Sequence, residues 1–337
     1  MLGNVVRNLM GQKMPDVDNA EYKLLDFFKG NWFQKNNGRQ ATLKPQKETW
    51  QEFWLYASSS AKWCPRMSAL QAMFGSSNEE FKPETLWLFR QGDAYHSVLQ
   101  NVLSSVSSKD MKFLGAWERV VRLKIGNNIY KKEEKFGKNK IQDGERRDIV
   151  RGWRVKPRGK GWEYRESKVR MPDYRVVVKF DGVLDWGDSG QEVIEIKTEK
   201  SQYREAVDST MGGKPRQNHI DQLLLGMWAT GIKKGRLVYV FKGEWSFARS
   251  IVEYVIDYDS IRVEELKAIA KECTNSVQKV QKFLEKNRKA SDKDKAAFLD
   301  KHFERLEECP MKSKGRAKNC KERQQCFNVE LFGKAKR

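Results

Sequence analysis

The chain has 337 residues, a third of them charged, and a formal net charge of +20. It holds no run of about 18 apolar residues, which argues against a transmembrane helix. Eleven Trp and seventeen Phe supply a real core, which argues against wholesale disorder. The first residues, MLGNVVRNLMGQKMPDVDN, lack a sustained apolar stretch of the secretory kind, so the cytoplasm is the expected location. Residues 1–45 read as a helical N-terminal extension around AEYKLLDFFKGNWFQKN, closed by the polar NNGRQ. From residue 46 a mostly helical pattern follows, broken at Pro65. In LWLFRQGDAYHSVLQNVLSSV, apolar residues recur at helical spacing, with Gly92 and His96 four apart on one face.

Residues 119–160 are irregular and lysine-rich, and read as a basic hairpin or loop insertion ahead of a sheet. That sheet is predicted from GWEYRESKVRM, YRVVVKFDGVLD, EVIEIKT, RLVYVFKG and SIVEYVIDYD, runs rich in β-branched and aromatic residues. HIDQLLLGMWATG is predicted as a helix capped by Gly231. After Asp257 a long helical region leads into a cysteine-bearing tail. The expected division is therefore 1–45, a core over 46–260 and a helical, Cys-rich cap over 261–337.

The charge is concentrated. Residues 119–170 carry eighteen Lys and Arg against seven Asp and Glu, and residues 309–337 carry nine against two. Two such segments suit a polyanion, nucleic acid above all, with an anionic lipid surface or a merely solvated face as the alternatives.

Against this background the acidic residues of FDGVLDWGDSGQEVIEIKTEK stand out. WGDSG separates two strands, and alternation in EVIEIKT puts Val193, Glu195 and Lys197 on one face and Ile194, Ile196 and Thr198 on the other. Asp185, Glu195 and the Ile196 carbonyl are hard oxygen donors suited to Mg²⁺, and Lys197 is placed to assist a water in phosphodiester hydrolysis. A cross-strand salt bridge is the plainer use of the same residues.

Residues 58–326 resemble the RecB-like exonucleases of the PD-(D/E)xK superfamily. SSSAKWCPRMSAL is similar to the family's opening segment, GDAYH to its Gly-x-x-x-His helix motif, GVLD to its Gly-x-x-Asp and EIK to its Glu-x-Lys. HIDQ and GIKKGRLVYVFKG resemble the helix and strand that follow. The resemblance implies an α/β restriction-endonuclease-like core, a central mixed β-sheet flanked by helices. It makes Asp185 and Glu195 metal ligands, joined by His96 and the Ile196 carbonyl, with Lys197 and Gln222 completing the catalytic set. The ion is expected to be Mg²⁺ or Mn²⁺, since a His ligand suits the latter. His219 reads as structural. The family often has Tyr four residues after the Gln; here that place is Gly226, and Trp228 or Tyr203 would have to supply any stacking ring.

Five cysteines occur, at 64, 273, 309, 320 and 326. The CRISPR-associated and AddB-type relatives hold a four-iron four-sulfur cluster on one early and three late cysteines. The resemblance therefore implies such a cluster on Cys64, Cys309, Cys320 and Cys326, with structural Zn²⁺ as the alternative. Cys320 and Cys326 keep the family's spacing, whereas Cys309 and Cys320 are farther apart than is usual. Cys273 reads as a bystander.

The function expected from these features is metal-dependent hydrolysis of DNA, as an exonuclease on single strands or free ends. A structure-specific endonuclease and a non-catalytic DNA-binding subunit of a recombination or CRISPR-adaptation complex are the alternatives. No phosphate-binding Gly-x-x-x-x-Gly-Lys-Ser/Thr loop is present, so any helicase motor or recombination protein would be a separate partner. Trp153 and Trp162 lie in the basic stretch, where rings serve either base stacking or core packing.

Overall fold

A computed structural model describes residues 53–75, 83–105, 111–125, 128–133, 138–142, 144–158, 161–243 and 250–304. The expected N-terminal extension, Cys309, Cys320 and Cys326 lie outside them. The chain divides into two compact units, Met1–Gln46 with Asn78–Phe89, and Lys47–Ser77 with Arg90–Arg337. Of the first unit, only the start of one helix is described.

In chain order the elements are β1 (Leu55–Tyr56), α1 (Pro65–Phe74), α2 (Pro83–Ser105), β2 (Lys112–Ile125), β3 (Asn128–Glu133), β4 (Lys138–Gln142), β5 (Glu145–Arg151), β6 (Arg154–Val155), β7 (Trp162–Arg165), β8 (Ser167–Met171), β9 (Val176–Phe180) and β10 (Gly182–Asp185). They continue with β11 (Gln191–Lys200), α3 (Arg204–Val207), α4 (Gln217–Thr230), β12 (Lys234–Lys242), β13 (Ile251–Asp257), α5 (Ser260–Lys286) and α6 (Asp292–His302). The architecture is mixed α/β. One sheet has the order β1-β9-β8-β5-β4, and the other runs β13-β12-β11-β10-β2-β3, with β6 and β7 also paired to β2. Among the described residues, only β1–β9 and β11–β12 are parallel pairs.

The basic insertion is more ordered than its composition suggests, because most of 119–151 is strand. Two predicted strands are each broken in two. GWEYRESKVRM divides at Glu166 into β7 and β8, which belong to different sheets. YRVVVKFDGVLD divides at Asp181, where the chain leaves the first sheet as β9 and enters the second as β10. Gly182 makes that corner with φ +149, and a Cβ there would come within 2.5 Å of the Phe113 ring and 2.9 Å of the Leu114 carbonyl oxygen, so only glycine fits.

β11 is buried on both faces, which explains its continuous apolar run. Val193 joins a large cluster built from α1, α4 and α5, including Leu70, Met73, Leu224, Met227, Val263 and Val277. Ile194 and Ile196 join Phe113, Trp117 and Leu184 in a second cluster, against which Leu99 and Leu103 of α2 pack. The sheet is thus held between α4 and α2, and α5 shares the core with α1 and α4 rather than standing apart in a cap. Gly231 closes α4 at φ +80, as the sequence predicts. Asp221 of α4 receives a two-pronged hydrogen bond from Arg262 of α5, Nε to Oδ1 at 2.9 Å and Nη2 to Oδ2 at 2.7 Å.

Candidate active site

The polar residues converge where β10 parts from β11. Their ladder ends at the pair Gly182 with Ile194, so farther along β11 the backbone loses its partner on that side. The next such donor, the Ile196 N–H, is taken instead by Asp181 Oδ2 at 2.7 Å. A strand residue's N–H and C=O point to the same side, so the Ile196 carbonyl shares this edge. On the α2 side, Asp181 Oδ1 receives Gln100 Nε2 at 2.9 Å and lies 3.1 Å from His96 Nδ1. Tyr164 of β7 donates its hydroxyl to the Asp181 carbonyl oxygen. Burial, reinforced by the charges of Asp181, Glu166 and Glu195, holds that phenol well above its ordinary pKa of 10 and so in the donating form.

On the α4 side, Glu195, Lys197 and Gln222 close a triangle. Lys197 Nζ stands 2.8 Å from Glu195 Oε1 and donates to Gln222 Oε1 at 2.6 Å, while Gln222 Nε2 donates to Glu195 Oε1 at 2.7 Å. Glu195 is 4% exposed and Asp181 3%. Burial, opposed by Lys197 and reinforced by the charge of Asp181, raises the Glu195 pKa from 4.5 to about 7. Burial works against a charged His96, but its hydrogen bond to Asp181 and the charges of Asp181 and Glu195 outweigh it, and its pKa is raised.

Of the residues expected from sequence, the structure brings together His96, Glu195, Ile196, Lys197 and Gln222, and leaves Asp185 apart. Asp185 ends β10 opposite Gln191, four residues and about 13 Å of strand from Asp181. Its carboxylate accepts from the Gly187 N–H at 3.1 Å and Gln191 Nε2 at 3.3 Å, which closes the WGDSG turn. The carboxylate at the site is Asp181, directly before the glycine of the quoted Gly-x-x-Asp. Gln100 was also missed, although it extends the four-residue spacing of Gly92 and His96 by one more helical turn. Gly92 itself lets α2 approach β11: a Cβ there would lie 3.2 Å from Thr198 Oγ1.

The remaining candidates are placed away from this cluster. A Cβ at Gly226 would meet Val193 Cγ1 at 3.2 Å, so this position faces the sheet, and a ring there would have nowhere to go. Trp228 is buried and donates Nε1 to Glu145 Oε2 at 2.6 Å. Tyr203 is exposed, with Arg216 5.7 Å from its ring centre. His219 lies against the Tyr239 hydroxyl, 3.0 Å from Nδ1, and burial together with Lys197 and Arg216 depresses its pKa to about 3, which keeps it neutral. Cys64 is buried at the N-terminus of α1.

Among the described residues, no three His, Cys, Asp or Glu side chains form a ready-made metal cage, and both Asp181 oxygens and Glu195 Oε1 are engaged by protein donors. The donor chemistry nevertheless suits a hard divalent ion: two buried carboxylates, one held near pKa 7 by burial and by the other's charge, with an imidazole and a carbonyl beside them.

No protein-family model matches the chain, and no curated protein does. Among solved structures it is similar to SSO0001, at 16% identity over 76% of this chain and 85% of that one, with a TM-score of 0.33. It is also similar to an alkaline exonuclease, LHK-Exo from Laribacter hongkongensis, at 14% identity over 71% and 95% of the two chains, TM-score 0.39. The same exonuclease in complex with dAMP gives 12%, 69% and 97%, TM-score 0.35. Likeness this slight assigns no role to any residue.

Proposed function

We propose that the chain is a divalent-metal-dependent DNA nuclease acting on single strands or free ends. The observation that carries this reading is the convergence of Asp181, Glu195 and Lys197 at the parting of β10 and β11, with Gln222 and His96 closing the two sides. Asp181, Glu195, the Ile196 carbonyl and His96 would hold Mg²⁺ or Mn²⁺. Such an ion, when bound, lowers the pKa of a water and offsets charge on the phosphate under attack. Lys197 offers N–H donors and a fixed positive charge to a water or phosphate oxygen, and Gln222 sets its position by accepting one of those hydrogens. Gln100 and Tyr164 fix Asp181 from opposite ends. The basic segments would hold phosphates without reading bases, so binding is expected to weaken steeply with salt.

The test is cleavage of end-labelled linear and closed circular single-stranded DNA with Mg²⁺ or Mn²⁺, comparing the parent with Asp181→Ala and Lys197→Ala. Loss of the linear DNA alone, abolished in both variants, supports an exonuclease. Cleavage of circles supports the endonuclease alternative, and tight binding without cleavage overturns the enzymatic reading.

The proposed cluster on Cys64, Cys309, Cys320 and Cys326 draws support from one feature of the fold. Arg66, two residues after Cys64, donates to the Leu299 carbonyl at 3.3 Å and to the Phe303 carbonyl, and pairs with Asp300. The end of α6, seven positions before Cys309, is therefore held against the first turn of α1. Iron, sulfide and zinc content of anaerobically purified protein, with its visible absorption, distinguishes a cluster from zinc and from plain thiols.

A further inference from the structure

β2, β5 and β6 border a partly open cavity of about 320 Å³, within the range of small-ligand pockets. Its lining is mostly apolar and includes Trp117, Trp153, Ile149 and Gly152, with Arg151, Arg154 and Glu118 as charged members. Both indoles adjoin the candidate active site. The Trp117 ring meets the ring of Tyr164 edge-on at 5.5 Å, and Tyr164 holds the Asp181 carbonyl. The Trp153 ring meets Phe180, the residue before Asp181, at 5.4 Å.

We propose that this cavity receives one unstacked base of a single-stranded DNA substrate, next to the phosphate under attack beside Lys197. The inference rests on the nuclease reading for the identity of the substrate. Base rather than phosphate follows from the lining. Indole and aliphatic walls suit a planar ring. The Glu118 carboxylate, which has Arg165 Nε 3.5 Å away, offers an acceptor to an exocyclic amine. The Nε of Arg151 is buried and, among the described residues, has no hydrogen-bond partner. Positive charge for the backbone stands alongside: the register sets Arg151 opposite Lys168 and Lys168 opposite Lys179. Glu166 offsets part of this charge, 3.3 Å from Lys179 Nζ, and a DNA phosphate beside the row would add to that offset. A base in an intact duplex is stacked and paired and cannot enter, so the cavity selects single strands.

The test is binding by fluorescence anisotropy in EDTA, using the full chain and a labelled 12-mer single strand, a set of the same strands each with one abasic position, and the blunt duplex. Gly152→Leu plugs the cavity without backbone cost, since a Cβ at 152 meets only Ile149 Cγ2, at 3.5 Å. For the parent, one abasic position is expected to lose about tenfold or more in affinity, in line with base–aromatic stacking. In Gly152→Leu, affinity for the single strand is expected to fall by a similar factor, the abasic penalty to vanish and duplex binding to stay unchanged. Equal binding of all abasic strands by the parent overturns the proposal, and this arm does not depend on the variant's folding. Because no metal is present, the result is separate from cleavage: an inactive protein with an abasic penalty keeps the cavity and loses the enzyme, and an active one without the penalty does the reverse.

Discussion

Asp181 and Glu195 stand one step beyond the last pair of the β10–β11 ladder, Gly182 with Ile194, and face each other across the gap where β10 turns away. Asp185, at the other end of the same strand, pairs with Gln191 and serves the turn. Asp181→Asn is therefore expected to lower cleavage by about a hundredfold or more, the scale of losing a group that stabilises developing charge. Asp185→Asn should stay within about threefold. Rates measured side by side decide it, and an inactive Asp185→Asn with an active Asp181→Asn would reverse the assignment.

Much of this site was legible in the sequence. The elements that carry Glu195, Lys197, Gln222 and His96 follow from periodicity and spacing, because each residue lies inside one regular element, whereas their grouping into one site was implied by the resemblance. The choice between Asp181 and Asp185 depends on register, and that too was within reach. A hairpin turning at WGDSG sets 185 against 191 and hence 181 against 195, so Asp185 cannot oppose Glu195. What was not legible is the corner at Asp181. One uninterrupted run of β-branched residues serves two sheets there, and only the crowding of Gly182 by Phe113 and Leu114 reveals the break. The strands of the basic insertion were hidden for a different reason, since lysine-rich composition masks pairing that backbone hydrogen bonds supply.

Glu195 carries a pH signature. Its pKa is raised by burial from 4.5 to about 7 in the folded chain, so the folded state binds the proton more tightly than the unfolded one. Its contribution to stability is fully present below pH 4.5 and is lost as pH rises through 7, a swing of about 3 kcal/mol. In EDTA, Glu195→Gln should match the parent's Tm at pH 5 and exceed it by several degrees, roughly 5 °C or more, at pH 9. Mn²⁺ at pH 9 should raise the parent's Tm and leave the variant's nearly unchanged. A Tm difference that is constant from pH 5 to 9 would refute this account.

The Arg262–Asp221 pair anchors the helix turn that carries Gln222, because Asp221 is its neighbour and is almost fully buried. Removing one member leaves a buried charge without its partner, so Arg262→Met should cost about 3–5 kcal/mol by urea unfolding. Asp221→Asn/Arg262→Met, which removes both charges, should recover part of that loss. If the single variant unfolds like the parent, the pair is not what holds α4.

Gly92 tests whether the spacing of α2 from β11 governs His96. Alanine is favoured over glycine inside a helix by about 1 kcal/mol, yet a Cβ at 92 would lie 3.2 Å from Thr198 Oγ1 and push the helix outward one turn before His96. The two effects oppose each other in stability but not in activity. Gly92→Ala should change Tm by no more than about 3 °C while lowering cleavage about tenfold, since small displacements at a reacting centre are costly. Thr198→Ala removes the obstructing oxygen, so the double variant should regain most of the activity and exceed the parent's stability. The double-mutant cycle measures this coupling directly. Additive losses in activity would mean that the glycine serves some other contact, whereas a clear rescue would tie the position of His96 to the close approach of helix and strand.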